Sequence, residues 1–104
     1  MNMFKTGNSL QEIAGQGISL VDFGAAWCGP CKAQSPVIKK VAEKFEGRAA
    51  VKEVDIDRNR DLAMDLGIQS VPTLIVFKDG REVERFIGLQ NENKLTQALN
   101  TALE

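Results

Sequence analysis

Apolar positions along the chain switch between two rhythms, and the switches mark out its elements. Leu10, Ile13 and Ala14 share one face of a short helix predicted over Asn8 to Gly15, with Asn8 or Ser9 as its cap. Ile18 to Phe23 is almost continuously apolar, as strands covered on both faces tend to be. Helical spacing follows in Val37, Ile38, Val41, Ala42 and Phe45, and it predicts a helix running from the cysteine motif to about Phe45. Pro30 suits the first turn of that helix, where a missing N–H costs nothing. Pro36 falls inside the pattern and is expected to kink it.

Val51, Val54 and Ile56 predict a second buried strand over Ala49 to Ile56. A short helix over Asn59 to Leu66 is stopped by Gly67. Thr73 to Phe77 is strongly β-forming, and Asp79-Gly80 is a hairpin signal that returns the chain as Glu82 to Ile87. Leu95, Ala98, Leu99 and Ala102 give a final amphipathic helix over Glu92 to Leu103. The order is α, β, α, β, α, β, β, α. It predicts an α/β fold: a mixed central β-sheet, with a parallel core and a C-terminal antiparallel hairpin, flanked by helices on both faces. Each of the two helical crossovers is expected to join parallel neighbours. No repeat, linker or low-complexity stretch divides residues 1–104, so one domain is expected.

Composition narrows the function. A net charge of -1 with interspersed signs lacks the basic excess of a nucleic-acid binder. Lys39-Lys40 and Arg58/Arg60 are the nearest basic clusters, and both have acidic neighbours. No signal-peptide pattern opens the chain, and the apolar stretches around Leu20 and Leu74 are too short to span a bilayer. A soluble cytoplasmic protein is expected, with no membrane partner. Structural disulfides are rare in that compartment. The chain has 2 cysteines and 0 histidines, so it has no cysteine–histidine nucleophile pair and no four-ligand zinc site of its own.

The two cysteines stand in Trp27-Cys28-Gly29-Pro30-Cys31-Lys32, between a buried strand and a helix. Residues three apart lie on one helix face, so the sulfurs can meet. Cys28, at the helix N-terminus and exposed, has its thiolate favoured by the free N–H groups and the helix dipole. Cys31 lies a turn deeper, where burial raises a thiol pKa. Cys28 is then the attacking nucleophile in dithiol–disulfide exchange, and Cys31 resolves the mixed disulfide. Half of a zinc site shared with a second chain, or an accidental pair, are the other readings of the spacing. Asp22 interrupts an apolar strand. It reads either as a structural carboxylate or as a buried group with a raised pKa that serves the site. Val71-Pro72 reads by itself as a strand-entry proline.

The hexapeptide at 27–32 resembles the active-site motif of the thioredoxin family. So do Val21-Asp22-Phe23 before it, Pro36 after it, Val71-Pro72-Thr73, Phe77-Lys78-Asp79-Gly80 and Gly88. The resemblance runs from about residue 8 to the C-terminus. It implies a thioredoxin fold and a protein-disulfide reductase that carries electrons for cell redox homeostasis. Such a protein has no bound cofactor or metal, receives electrons from a thioredoxin reductase, and acts as a monomer on disulfide-containing client proteins. It also implies a redox disulfide between Cys28 and Cys31, with Asp22 as proton acceptor for Cys31. Gly29 and Pro30 would tune the redox potential. Pro72 would be cis, with Val71 offering backbone hydrogen bonds to clients. Trp27, Gly29, Pro30, Val71, Pro72 and Gly88 would form a flat apolar patch for client binding.

Three departures from the family pattern carry expectations of their own. Glu53 stands where the family commonly has Lys. Facing Asp22, it would raise that group's pKa and tune the potential, whereas turned to solvent it would not. Lys52 is expected on the opposite face of its strand. Gly24 replaces a bulky aromatic and would leave space behind the site. Only Met1 to Thr6 precede the first helix, so the family's N-terminal edge strand is expected to be short or missing. Two other uses of the fold compete with the reductase: a thiol oxidant or isomerase, and a non-catalytic scaffold subunit.

Overall fold

The computed structural model describes residues 10–104. The edge strand and the helix cap expected before Leu10 lie outside that range. The described elements are α1 (Leu10–Ala14), β1 (Ile18–Gly24), α2 (Gly29–Lys44), β2 (Ala50–Asp55), α3 (Arg60–Asp65), β3 (Thr73–Lys78), β4 (Arg81–Ile87) and α4 (Glu92–Leu103). Helix α2 runs through Pro36 to Lys44. The proline has no N–H to give the carbonyl four residues back, and it lies on the exposed side.

The strands form a mixed sheet in the order β2-β1-β3-β4. β1 and β2 are parallel, while β1–β3 and β3–β4 are antiparallel. The first crossover, through α2, therefore joins parallel neighbours. The second does not. Helix α3 has 6 residues and rises only about 9 Å. A strand of 6 residues such as β3 spans roughly 20 Å. The connection does not carry the chain back along the sheet, and β3 starts at the end where β2 stopped. Asp55 pairs with Gly24 and Thr73 with Phe23, at the same end of β1.

Alternation along the strands feeds two cores. Ile18, Leu20, Leu74 and Val76 pack against Ile38, Val41 and Phe45 of α2 and its C-cap and Leu95 and Leu99 of α4. Val21, Phe23, Ile75 and Phe77 pack against Ile13 of α1 and Leu62 of α3. Each fully buried phenylalanine contributes about 1.5–3 kcal/mol of apolar transfer. The hairpin turns on Asp79 and Gly80, at φ 52° and 83°, the paired left-handed geometry that Asp-Gly favours. Asn91 caps α4, its side-chain oxygen accepting the Lys94 N–H at 2.9 Å.

Candidate active site

Strand β1 ends at Gly24 and the chain turns sharply into α2. The Cys28 N–H donates to the Ala25 carbonyl at 3.1 Å, which closes the turn. Cys28 is the N-cap of α2, with φ -91° and ψ 115°. Its Sγ accepts the Cys31 N–H at 3.1 Å. A sulfur in the place of a capping oxygen satisfies one of the helix's free donors, at the positive end of the dipole. Both terms favour negative charge on Cys28.

Cys28 and Cys31 are joined as a disulfide, with Cα atoms 5.3 Å apart. Neither is exposed: Cys28 is 4% accessible and Cys31 8%. The expected contrast between an open Cys28 and a buried Cys31 is absent here, because each sulfur covers the other and Ile56 and Val71 pack over the pair. The inequality of the two thiols rests on the helix hydrogen bond and on the groups behind Cys31.

Asp22 is one of those groups. It lies inside the sheet, 3% exposed, and its Oδ1 has no hydrogen-bond partner. Parallel pairing places Glu53 beside it on the same face. Glu53 accepts a hydrogen bond from Ser35 Oγ of α2 at 2.8 Å. Lys52 points the other way, its ammonium donating to the Ile13 carbonyl at 2.7 Å. Burial first, and then the Glu53 charge, push the Asp22 pKa up to about 7. The carboxyl can therefore take or give a proton near neutrality.

A cavity of about 360 Å³ joins Asp22, Gly24, Cys31, Ser35 and Glu53. Gly24 sits where a Cβ would come within 3.2 Å of Cys31 Sγ. Its bare backbone thus lets the second cysteine approach the strand, and the space beside it stays open.

On the other side of the disulfide the Val71–Pro72 peptide is cis. The Val71 carbonyl oxygen lies 3.8 Å from Cys28 Sγ. The Pro72 carbonyl accepts the Gly88 N–H at 2.9 Å, and Gly88 has φ 93°. Trp27 is exposed, and its indole N–H donates to Asp57 Oδ2 at 2.9 Å. Gly29 and Pro30 are exposed, and Val71 and Gly88 are half-buried. Pro72 is buried and does not belong to the surface patch. It leads straight into β3, and its carbonyl is tied to Gly88. Sequence reasoning missed Ile87 and Leu89, both exposed apolar side chains flanking Gly88. It also missed Asp57, the acceptor of the exposed Trp27 indole N–H, which no local signal marks.

Among the described residues no group of three or more His, Cys, Asp or Glu side chains could hold a metal ion. No helix of the described chain is long and apolar enough to cross a membrane.

Comparison with known proteins gives a consistent picture. The family model described as Thioredoxin matches residues 2–101. A thioredoxin of Staphylococcus aureus is 44% identical over 87 residues, covering 84% of each chain. One from Staphylococcus haemolyticus is 40% identical over 98 residues, covering 94% of each. Among solved structures, a mutant thioredoxin from Halobacterium salinarum NRC-1 superposes with a TM-score of 0.87 at 38% identity, covering 98% of this chain and 90% of that one.

Proposed function

The chain belongs to the thioredoxin family and is a thiol–disulfide oxidoreductase that reduces protein disulfides; from that premise we propose how its residues divide the work. The Cys28 thiolate attacks one sulfur of a client disulfide. A mixed disulfide forms and the first client thiolate leaves. Cys31 then gives its proton to the Asp22 carboxylate, and its thiolate attacks Cys28 Sγ. The second client thiolate departs and takes up a proton, the client has gained two electrons, and Cys28–Cys31 is the oxidised product. The observation that carries this reading is the capping bond: the Cys31 N–H held on Cys28 Sγ at 3.1 Å, at the mouth of α2. It selects Cys28 as the thiolate. The cavity shared by Cys31 and Asp22 supports Asp22 as the proton acceptor.

Gly29 and Pro30 set the start of α2, and Glu53 adds to the proton affinity that burial gives Asp22, so these residues tune the potential. Trp27, Val71 and Gly88 form the client-facing ground around the disulfide, with Pro72 fixing Val71 from beneath. We further read the protein as a cytoplasmic monomer of one domain. It carries no bound cofactor and is recharged by a thioredoxin reductase. The absence of a basic stripe argues against nucleic-acid partners.

Turnover with NADPH, a bacterial thioredoxin reductase and insulin tests the reading. Catalytic NADPH oxidation that requires this protein is the expected result. Failure to support any turnover, with the reductase active on its own substrate, counts against it.

A further inference from the structure

One polar side chain in the helix core has no place in the exchange chemistry. Gln34 lies on the apolar stripe of α2 with Ile38, Val41 and Phe45, and it is 0% exposed. A buried amide is costly unless its polar atoms are bonded. Here Nε2 donates to the Gln90 carbonyl at 2.9 Å, and Oε1 accepts the Gln90 N–H at 2.8 Å. The two bonds grip one peptide position in the loop between β4 and α4. From there the ties run toward the disulfide. Gln90 Nε2 donates to the Gly88 carbonyl at 3.1 Å. The Gly88 N–H is held by Pro72, and the Val71 carbonyl stands 3.8 Å from Cys28 Sγ.

We propose that Gln34 is a positioning residue for client recognition: from inside α2 it fixes the Gly88–Gln90 loop, and with it the exposed Ile87 and Leu89, in register with the active-site disulfide. An apolar side chain of equal volume would fill the core as well. What the amide adds is a two-point hold on the loop. The clients this serves are protein segments that lie over Ile87–Leu89 while their disulfide meets Cys28. A small disulfide touches only the cysteines and gains nothing from the hold.

The inference rests on the reductase reading, and the experiment separates the two. Wild type and Gln34→Met are compared on insulin and on the small aryl disulfide dithiobis-nitrobenzoate, with NADPH and an excess of bacterial thioredoxin reductase as electron source. For Gln34→Met, KM for insulin is expected to rise about tenfold, the loss of two bonds to one loop position. Its kcat and the rate on the aryl disulfide stay at the wild-type level. The Gln90 amide exchanges faster with solvent while the amides of β1 and β3 do not. Gln90→Ala, at a half-buried loop position, removes only the tie to Gly88. It is expected to raise KM for insulin in the same direction by about threefold, the loss of one bond, and it decides the matter if Gln34→Met does not fold. An unchanged KM, or equal losses on both disulfides, overturns the inference and leaves the reductase reading intact. A wild type that reduces neither disulfide overturns both.

Discussion

Cys31→Ser is expected to stop the exchange half-way, with the client covalently held on Cys28. Serine fills nearly the same space, so the N-terminus of α2 and the hydrogen bond to Cys28 Sγ survive. The first attack proceeds, but no second thiol is present to release the client. Intact-mass measurement should show a stoichiometric adduct that dithiothreitol removes. Turnover should fall on the order of 10³-fold or more, as when one member of a nucleophilic unit is removed. Cys28→Ser should give the same loss of turnover with no adduct. An adduct on Cys31 in that variant, formed as fast, would show that the helix cap does not select the nucleophile.

Asp22→Asn should separate stability from catalysis. The folded-state pKa of Asp22 is raised from 3.8 to about 7. Between those values the native state holds a proton that the unfolded state has lost. Wild-type stability from this group therefore falls as pH rises through the window, with no penalty below the unfolded value and the full penalty above the folded one. Asparagine does not titrate, so its own unpaired amide cost is the same at every pH. The stability of Asp22→Asn relative to wild type should grow by about 2–3 kcal/mol between pH 5 and pH 8, read from urea unfolding at each pH. Release of the mixed disulfide should slow by about 10²-fold or more and lose its rise with pH near 7, the usual scale for a lost general base. Glu53→Gln provides the graded case. It removes the smaller of the two causes, so the Asp22 midpoint in a carboxyl NMR titration should drop yet stay above 3.8. A stability gap that does not change with pH would mean that Asp22 titrates normally.

Much of this was legible in the sequence because it is local. The Asp79-Gly80 turn, the apolar run of β1 and the cap position of Cys28 depend on a few neighbouring residues. Alternation put Lys52 and Glu53 on opposite faces but left open whether Glu53 meets Asp22 or solvent, and the register Asp22↔Glu53 decides it. What was missed is held together over distance. The direction of β3 depends on where the connection 56–72 re-enters the sheet, and no periodicity records that. Trp27 and Asp57 are 30 residues apart, and Gln34 and Gln90 are 56 apart. Gln34 did leave a trace, as a polar residue on the stripe of Ile38, Val41 and Phe45. Cys28 reads as exposed from its cap position, and its pairing with Cys31 together with the packing of Val71 and Ile56 removes that exposure.

The central claim, that Cys28 and Cys31 form a reducing dithiol couple, is tested most directly by redox equilibrium. The protein is held in graded thiol–disulfide buffers and followed by the fluorescence of Trp27, its single tryptophan, with acid-quenched alkylation of the cysteines as a second readout. A reversible two-electron transition more negative than about -200 mV, on the reducing side of typical oxidant and isomerase couples, is predicted. A less negative midpoint would make the protein a thiol oxidant or isomerase, and no transition at all would leave the cysteine pair without a redox role.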